Sequence, residues 1–366
     1  MTTRSLSRRQ LGRTTLDRQL LLERRPVGVA ETVEHLVGLQ GQVPKVPHVA
    51  LWDRLAGYDP AELDRLMTAR EIVRTPLMRT TIHTVTTRDA FALRPVLQPV
   101  LDRVFSATAW GQRLRGHDVS DAVATARTLL AERPMTRATL TRELVARHPE
   151  VDAEAVAFGV GYWMPWVQPP PRGLWTGSSA PVLTPLDAWV GWDGSPEPMP
   201  LDVLVTRYVT AFGPASVRDV QAWCGLTRLR EVTESMELRR YRSDDGIELL
   251  DVPDGSLTDP DTPAPARFLP EYDNVTLSHA DRSRVIGDDS VQPLQAGPGG
   301  WVGTVLIDGL VSATWAARRV AEVMALEIRT ARRLAPPEQE DVEREGRSLL
   351  SFLAPDRDHD VRLTGP

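Results

Sequence analysis

The chain has 366 residues, of which 42% are hydrophobic and 25% are charged. This length accommodates two or three packed units, and the composition is that of a globular protein with a core. No apolar run approaches the ~20 residues that a membrane-spanning helix needs, and the N-terminal residues lack the pattern of a secretory signal. The single cysteine, Cys224, excludes an intramolecular disulfide and a cysteine-based zinc site. We therefore expect a cytoplasmic protein that uses no metal and no other cofactor.

The net charge of −6 differs from that of most nucleic-acid-binding domains, which are basic. The charge is unevenly distributed, because residues 1–150 carry 23 Lys and Arg against 16 Asp and Glu, whereas the remainder carries 20 against 33. A polyanion would be attracted to the first part and to arginine clusters elsewhere. Every basic side chain except Lys45 is an arginine, which suits bidentate contacts to phosphate and guanine, although a GC-rich genome explains the same bias.

Helical periodicity dominates the first 70 residues. It predicts helices at residues 7–23, 29–39 and 48–55 and a fourth from Asp59 onward. Ser7 with Gln10 suits a capping box, and Asp59 followed by Pro60 suits a helix start. From Glu71 the β-branched residues predict two extended segments. Helices followed by a two-stranded ribbon are typical of a winged helix.

The same order of elements recurs twice along the chain. Residues 121–149 and 152–163 predict three further helices, which a proline-rich, wing-like loop at 167–183 follows. In the third copy, three short helices within 203–238 precede a hairpin that turns at Asp245-Gly246.

The C-terminal part differs from these units in being rich in strands. After a linker at 256–270, a hairpin turning at Asp308-Gly309 and a strand at 323–331 precede a final helix. We therefore predict an α+β fold with tandem winged-helix units and a β-rich C-terminal part. The predicted domains cover residues 1–115, 116–195, 196–260 and 261–366.

A pair of glutamines follows the second predicted helix, where GLQGQVP places Gln40 and Gln42 on either side of Gly41. In extended or turn-like backbone, residues two apart project to the same side, so both carboxamides can point into one cavity. Such a pair can hold a water molecule in line with a sugar carbon, or turn its carbonyl dipoles toward an oxocarbenium-like centre. Glutamines at helix ends also commonly satisfy unpaired backbone groups, so a structural role is the alternative.

Other candidate residues lie on the predicted helix-turn-helix and wings. The second helix of such a pair usually enters the major groove, and a wing reaches the phosphates. In the third unit these are Arg228 and Arg230 on the helix, and the wing arginines Arg239, Arg240 and Arg242. A solvated basic face, partly neutralised by neighbouring glutamates, is the alternative.

Two further sets of residues are weaker candidates for a functional role. His83, on the second predicted strand, is a candidate for contacting DNA, and packing against its neighbours explains it equally well. Glu271 and Asp273 form a carboxylate pair of the kind that hydrolyses glycosidic bonds. Their neighbours Pro270 and Asn274 favour a structural turn instead.

Several segments together resemble a known family. GLQGQVP, HVALWDRLAGYDPAELDRLM and REIVRTPLMRTTIHTV resemble the N-terminal part of the winged-helix DNA glycosylases typified by AlkZ and AlkX. FLPEYDNVTLSHADRSRVI and GTVLIDGLVSATW are similar to the family's C-terminal half, so the resemblance spans roughly residues 7–355. The motifs are individually of moderate specificity, and their order is highly specific.

The resemblance implies catalytic roles for Gln40 and Gln42. The AlkZ branch has a motif of glutamine, a small or aliphatic residue and a second glutamine, whereas the AlkX branch has aspartate at the second position. Gln42 therefore places this chain with the AlkZ branch. Gly41 departs from the pattern, because the family usually has a residue with a side chain there.

The resemblance also implies an activity and a partner. These enzymes are monofunctional glycosylases that remove bulky alkylated purines and unhook interstrand crosslinks, in repair or in self-resistance. The resemblance also implies a C-shaped DNA-binding surface formed by the tandem winged-helix units. The implied partner is double-stranded DNA carrying such purines, and we expect a monomer associated with the nucleoid. We also expect Lys45, Arg79 and His83 to contact DNA.

Two alternatives stay open. Lys45 as an attacking amine is the alternative to water as the nucleophile. A non-enzymatic winged-helix regulator or lesion-binding protein is the alternative function, although the sequence shows no heptad repeat or long terminal helix for dimerisation.

Overall fold

The computed structural model describes residues 4–192, 194, 197–287, 291, 294–295, 297 and 299–366. Within these residues lie three small sheets of three strands each and one sheet of five strands, all accompanied by helices. The predicted α+β class is therefore confirmed. The winged-helix description of the small units, the C-shaped surface and the domain boundaries stay predictions. No helix in the described part of the chain is both long and apolar enough to cross a membrane.

The first unit contains the predicted helices and both predicted strands, and the second of these strands pairs with an additional short strand at the glutamine pair. Its elements are β1 (Ser5–Leu6), α1 (Arg8–Arg18), α2 (Val29–His35), β2 (Leu39–Gln40), α3 (Val46–Trp52), α4 (Pro60–Thr68), β3 (Ile72–Pro76), a 3₁₀ turn (Met78–Thr80), β4 (Ile82–Thr86), α5 (Thr87–Ala107) and α6 (Ala109–Arg113). The sheet order is β2-β4-β3.

The predicted N-terminal caps of two helices are present, whereas two helices end earlier than the sequence predicts. Ser7 caps α1 by accepting the backbone N–H of Gln10, and Asp59 caps α4. The first helix ends before its predicted end at Glu23 and the second before Leu39, because the chain then adopts left-handed backbone at Leu20 and at Val37. After Val37 the chain becomes extended and pairs with β4 as β2.

The long helix α5 was not predicted. It contains Pro95 and Pro99, which disfavour a helix interior because proline removes a backbone donor. One face nevertheless buries Leu93 and Leu97 in a core that also contains Tyr208 and Trp223 from the third unit. Burial of this face offsets the cost of the prolines, at roughly 25 cal/mol per Å² of apolar surface.

The second unit follows the predicted order of helices and a wing. Its elements are α7 (Ser120–Glu132), β5 (Met135–Thr136), α8 (Arg137–Arg147), α9 (Ala153–Trp163), β6 (Trp166–Val167), β7 (Val182–Pro185) and α10 (Leu186–Val190). The sheet order is β5-β7-β6, and the proline-rich loop joins β6 to its antiparallel partner β7.

The third unit also matches its predicted elements. These are α11 (Leu201–Phe212), α12 (Val217–Cys224), α13 (Leu229–Glu234), β8 (Arg239–Ser243) and β9 (Glu248–Asp251). The hairpin turns as predicted, with Gly246 at a φ of 78°. The N-terminal strand β1 pairs in parallel with β8, so the start of the chain lies against the third unit rather than the first.

The C-terminal part forms a five-stranded sheet covered by a helix. Its elements are β10 (Arg267–Pro270), α14 (Asn274–Leu277), β11 (Trp301–Ile307), β12 (Leu310–Val320), β13 (Val323–Thr330), α15 (Pro336–Leu353) and β14 (Asp358–Thr364). The predicted hairpin, strand and helix are present, whereas β14 was not predicted because it contains three charged residues and only two apolar ones.

A buried ion pair joins the C-terminal part to the first unit. The carboxylate of Asp273 accepts from both terminal nitrogens of Arg54, at 2.9 and 2.8 Å, and both side chains are buried. The Asp273 carboxylate also caps α14. This geometry favours the structural reading of the Glu271 and Asp273 pair.

Candidate active site

The glutamine pair lies where the chain leaves the first sheet. Gly38 has a φ of 95°, and a side chain there would collide with Val85, so only glycine fits this turn into β2. The N–H of Gly41 donates to the carbonyl of Ile82 at 2.7 Å, which continues the pairing of β2 with β4 by one residue. Both glutamines are therefore held at a defined register beside β4.

The Gln40 side chain is buried, with 6% of its surface exposed. Its Oε1 accepts a hydrogen bond from Nη2 of Arg79 at 2.9 Å. A guanidinium only donates hydrogen bonds, so the oxygen of the carboxamide must face Arg79. The amide nitrogen of Gln40 is consequently the end left to donate elsewhere.

Gln42 differs from Gln40 in being exposed. Its Oε1 accepts from the backbone N–H of Ile82 at 3.3 Å, so this carboxamide also has its oxygen turned toward the protein. Gln42 lines a cavity of about 520 Å³ between the first and second units, whereas Gln40 does not. The structure thus brings the pair to one sheet edge, and only Gln42 opens into the cavity.

Arg74 holds the segment between the two glutamines in place from inside the protein. Its Nη2 donates to the carbonyl of Gly41 at 2.5 Å, and its Nη1 donates to Oε1 of Gln168 at 2.8 Å. Arg74 is 1% exposed and has no carboxylate partner among the described residues. Burial, followed by the charge of Arg172, lowers the pKa of Arg74 to about 9, which leaves it charged at neutral pH.

The limited space around position 41 explains why this chain has a glycine there. A Cβ there would lie 2.9 Å from Oγ1 of Thr84 and 3.5 Å from Cγ of Pro47, which is closer to Thr84 than real Cβ atoms come. Thr84 is buried on β4, so its hydroxyl occupies the space that a side chain at position 41 needs. Gly41 therefore matches its surroundings here.

Arg79 and His83 lie close to Gln40 inside the protein. Arg79 also donates to the carbonyl of Trp223 at 3.1 Å, so it bridges the first and third units. His83 pairs with Gln40 across the sheet, is 1% exposed, and hydrogen-bonds through Nδ1 to the carbonyl of Thr81 at 2.9 Å. Burial, followed by the charge of Arg79, lowers the pKa of His83 to about 3, so the ring is neutral at pH 7. Contact of His83 with DNA stays a prediction that this burial disfavours.

The remaining basic candidates fall into two groups. The side chains of Lys45, Arg228 and Arg230 make no hydrogen bond or ion pair with any described residue, and both arginines are exposed. The wing arginines are partly engaged: Arg240 pairs with Glu248 at 3.1 Å, Arg242 donates to Gly246, and Arg239 donates to Tyr241 and Gly255. The helix arginines are thus freer to bind a polyanion than the wing arginines.

The sequence analysis did not identify Arg74 and Gln168, which hold the segment between the two glutamines in place from inside the protein. Arg74 and Gln168 lie 94 positions apart, and no local pattern links them. In the described part of the chain, no group of three or more His, Cys, Asp or Glu side chains is placed to hold a metal ion.

Comparison with known proteins agrees with this architecture. The solved structure of Streptomyces sahachiroi DNA glycosylase AlkZ is similar to this chain, with a TM-score of 0.72 and 20% sequence identity, over 98% of this chain and 100% of that one. At this identity the likeness demonstrates the fold alone. No curated protein sequence matches.

The sequence itself carries the family assignment. The model of the family described as "DNA glycosylase AlkZ-like" matches residues 33–352, which include the glutamine pair and four of the five strands of the C-terminal sheet. Because this match extends over most of the 366 residues, the chain belongs to the AlkZ-like family of DNA glycosylases.

Proposed function

We propose that this glycosylase is monofunctional and hydrolyses the N-glycosidic bond of bulky alkylated purines, N7-alkylguanine or N3-alkyladenine, with Gln40 and Gln42 as its catalytic residues. Unhooking of interstrand crosslinks, in repair or in self-resistance, belongs to the same proposal. The observation that carries it is the pair of carboxamides whose orientations are fixed at one sheet edge, with Gln42 opening into a cavity.

Neutral catalytic groups suit a substrate that is already cationic. An alkylated purine carries a positive charge on its ring, so the base leaves with the bonding electron pair and needs no added proton. A strong general acid is therefore unnecessary. His83, the titratable group paired with Gln40 across the sheet, is neutral and buried and supplies no proton at pH 7. Undamaged purines, which need protonation to leave, would react slowly at such a site.

The orientations of the two carboxamides suggest different roles. The Gln42 oxygen holds the N–H of Ile82 with one lone pair and keeps a second lone pair, which can accept a hydrogen of the attacking water. The Gln40 oxygen is directed at Arg79, so its amide N–H groups are available as donors to the departing base, whose ring gains electron density. Water then bonds to the sugar carbon and loses a proton to solvent.

DNA is held, in this proposal, by the exposed arginines of the third unit together with Lys45. Arg228 and Arg230 lie at the start of α13 without internal partners, which favours phosphate contacts. Arg239, Arg240 and Arg242 would add to this surface once their internal contacts are exchanged for phosphates. A regulator without activity is the weaker alternative, because the chain belongs to a glycosylase family.

The catalytic assignment predicts separable effects for the two glutamines. Gln42→Ala should slow single-turnover release of N7-methylguanine from duplex DNA by about 100-fold, since one polar stabiliser is lost. Gln40→Glu retains an oxygen for Arg79 but removes the amide donor, so it should slow release to a similar extent. DNA affinity should stay within a few-fold of wild type in both variants.

Gln339→Ala, on an exposed face of α15, is the matched control and should release base at the wild-type rate. Wild-type rates in both catalytic variants would contradict the assignment. A normal rate in Gln40→Glu alone would contradict its role as a donor.

The monofunctional mechanism makes a prediction about Lys45, the only lysine of the chain. With water as the nucleophile, the product is an intact abasic site, and borohydride added during turnover should trap no protein–DNA adduct. Lys45→Arg should retain base release because the charge is kept. A trapped adduct that disappears in Lys45→Arg would instead identify Lys45 as the nucleophile.

The DNA-binding surface predicts a dependence on salt. If the protein contacts about five phosphates, log affinity should fall with log salt at a slope of about −4 to −5. Replacing Arg228 and Arg230 with Gln should make the slope shallower by about 2, since each phosphate contact contributes about 0.9. Replacing Arg239, Arg240 and Arg242 should have a further effect in the same direction.

Arg319 and Arg329, paired with Glu322 and Glu327 on the C-terminal sheet, provide the control for this measurement. Their replacement with Gln should leave the slope unchanged. An unchanged slope in the Arg228 and Arg230 variant would place the phosphate contacts elsewhere.

A further inference from the structure

The cavity beside Gln42 is a feature that hydrolysis of the glycosidic bond does not by itself require. Its volume of about 520 Å³ lies within the range of about 300–1,000 Å³ typical of small-molecule sites. Gln42 and Ile82 of the first unit form one side, and helices α8 and α9 with the β6–β7 hairpin form the other. The catalytic segment and this space are therefore contiguous.

Three aromatic side chains belong to the second-unit wall. Phe158 and Tyr162 project from α9 with their ring centroids 5.5 Å apart, and Trp166 follows on β6. The indole of Trp166 is fixed by a hydrogen bond from Nε1 to the carbonyl of Gly161 at 2.8 Å. Phe158 is covered by Trp110, stacked at 3.8 Å, and by the guanidinium of Arg137, which lies 4.6 Å from the ring centroid. The half-buried ring of Tyr162 is therefore the aromatic face that this wall can offer a ligand.

The charge of the cavity restricts what can enter it. Arg137 and Arg172 line it, and neither has a carboxylate partner among the described residues. No aspartate or glutamate belongs to its described lining. A cationic purine would be repelled by two unpaired guanidinium groups, whereas a neutral aromatic group stacks favourably on both arginine and aromatic faces.

We propose that this cavity binds the neutral aromatic substituent carried by a bulky alkylated purine, while the cationic purine and its sugar stay outside, beside Gln42. The proposal rests on the proposed function and adds the part of the lesion that the second unit recognises. The arginines at the rim would contact the substituent and the flanking phosphates. Selectivity for large adducts then comes from the second unit, and bond cleavage comes from the first.

Ala138 allows the cavity to be filled without disturbing the core. It is exposed in the first turn of α8 and lines the cavity, so Ala138→Trp places an indole in the space. Ala146 is exposed on the same helix, does not line the cavity, and provides the matched control Ala146→Trp. A second pair, Tyr162→Leu and Tyr162→Phe, removes or retains the aromatic face.

The experiment compares two duplexes, one with N7-methylguanine and one with N7-naphthylmethylguanine, by affinity and by single-turnover release. Wild type should bind the naphthylmethyl duplex more tightly. Ala138→Trp and Tyr162→Leu should lose that preference about 10-fold or more, since roughly 1.4 kcal/mol or more of stacking is removed. Methyl release should be unchanged, and Ala146→Trp and Tyr162→Phe should behave as wild type.

The outcomes separate this inference from the proposed function. An unchanged preference in Ala138→Trp, or an equal loss with both duplexes, would overturn the cavity assignment even if base release is intact. A preference that Ala138→Trp abolishes, in a protein that releases neither base, would support the cavity and contradict the catalytic proposal. Absence of any preference in wild type overturns the inference directly.

Discussion

The site depends on one buried cation, the guanidinium of Arg74. It lies on β3 with 1% of its surface exposed, and it donates to the carbonyl of Gly41 on one side and to Gln168 on the other. Burying an unpaired guanidinium is costly, and its hydrogen bonds to neutral oxygens offset part of that cost. These hydrogen bonds link the segment between the two glutamines to the second unit.

A second guanidinium extends the same principle to the third unit. Arg79 orients the Gln40 carboxamide and binds the carbonyl of Trp223, so the orientation of Gln40 is coupled to the packing of α12. The orientation of Gln40 therefore depends on a contact between units, whereas Gln42 is oriented by Ile82 of its own unit. Without the contact to Trp223, Arg79 would be held less firmly, and the preorganisation of the Gln40 carboxamide would be weakened.

Local sequence signals predicted a large part of the fold. Side chains that cap helices, such as Ser7 and Asp59, and the turns at Gly246 and Gly309 act within a few residues, so their pattern can be read directly. Helix α5 could not be predicted in this way, because Pro95 argues against a helix and only its burial against the third unit compensates. The early end of α2 likewise depends on the pairing of β2 with β4.

The sequence predicted which side chains form the candidate site, but not how they are oriented. The spacing of Gln40 and Gln42 and the family resemblance identified the pair, but not which atoms face the protein. That depends on Arg79, Ile82 and the register of the sheet. The steric match between Gly41 and Thr84 joins positions that are distant in the chain, as does the bond between Arg74 and Gln168, so a single sequence holds no local record of either contact.

The most direct test of this account is the single-turnover rate of N7-methylguanine release by Arg74→Met, measured together with its affinity for the same duplex. Loss of the two hydrogen bonds should let the Gly41 segment move, and a displacement of about 1 Å can slow a reaction by about 100-fold. We expect such a slow rate in a folded variant with nearly normal DNA affinity. Release at the wild-type rate would contradict the claim that Arg74 holds the Gly41 segment in the position that base release needs.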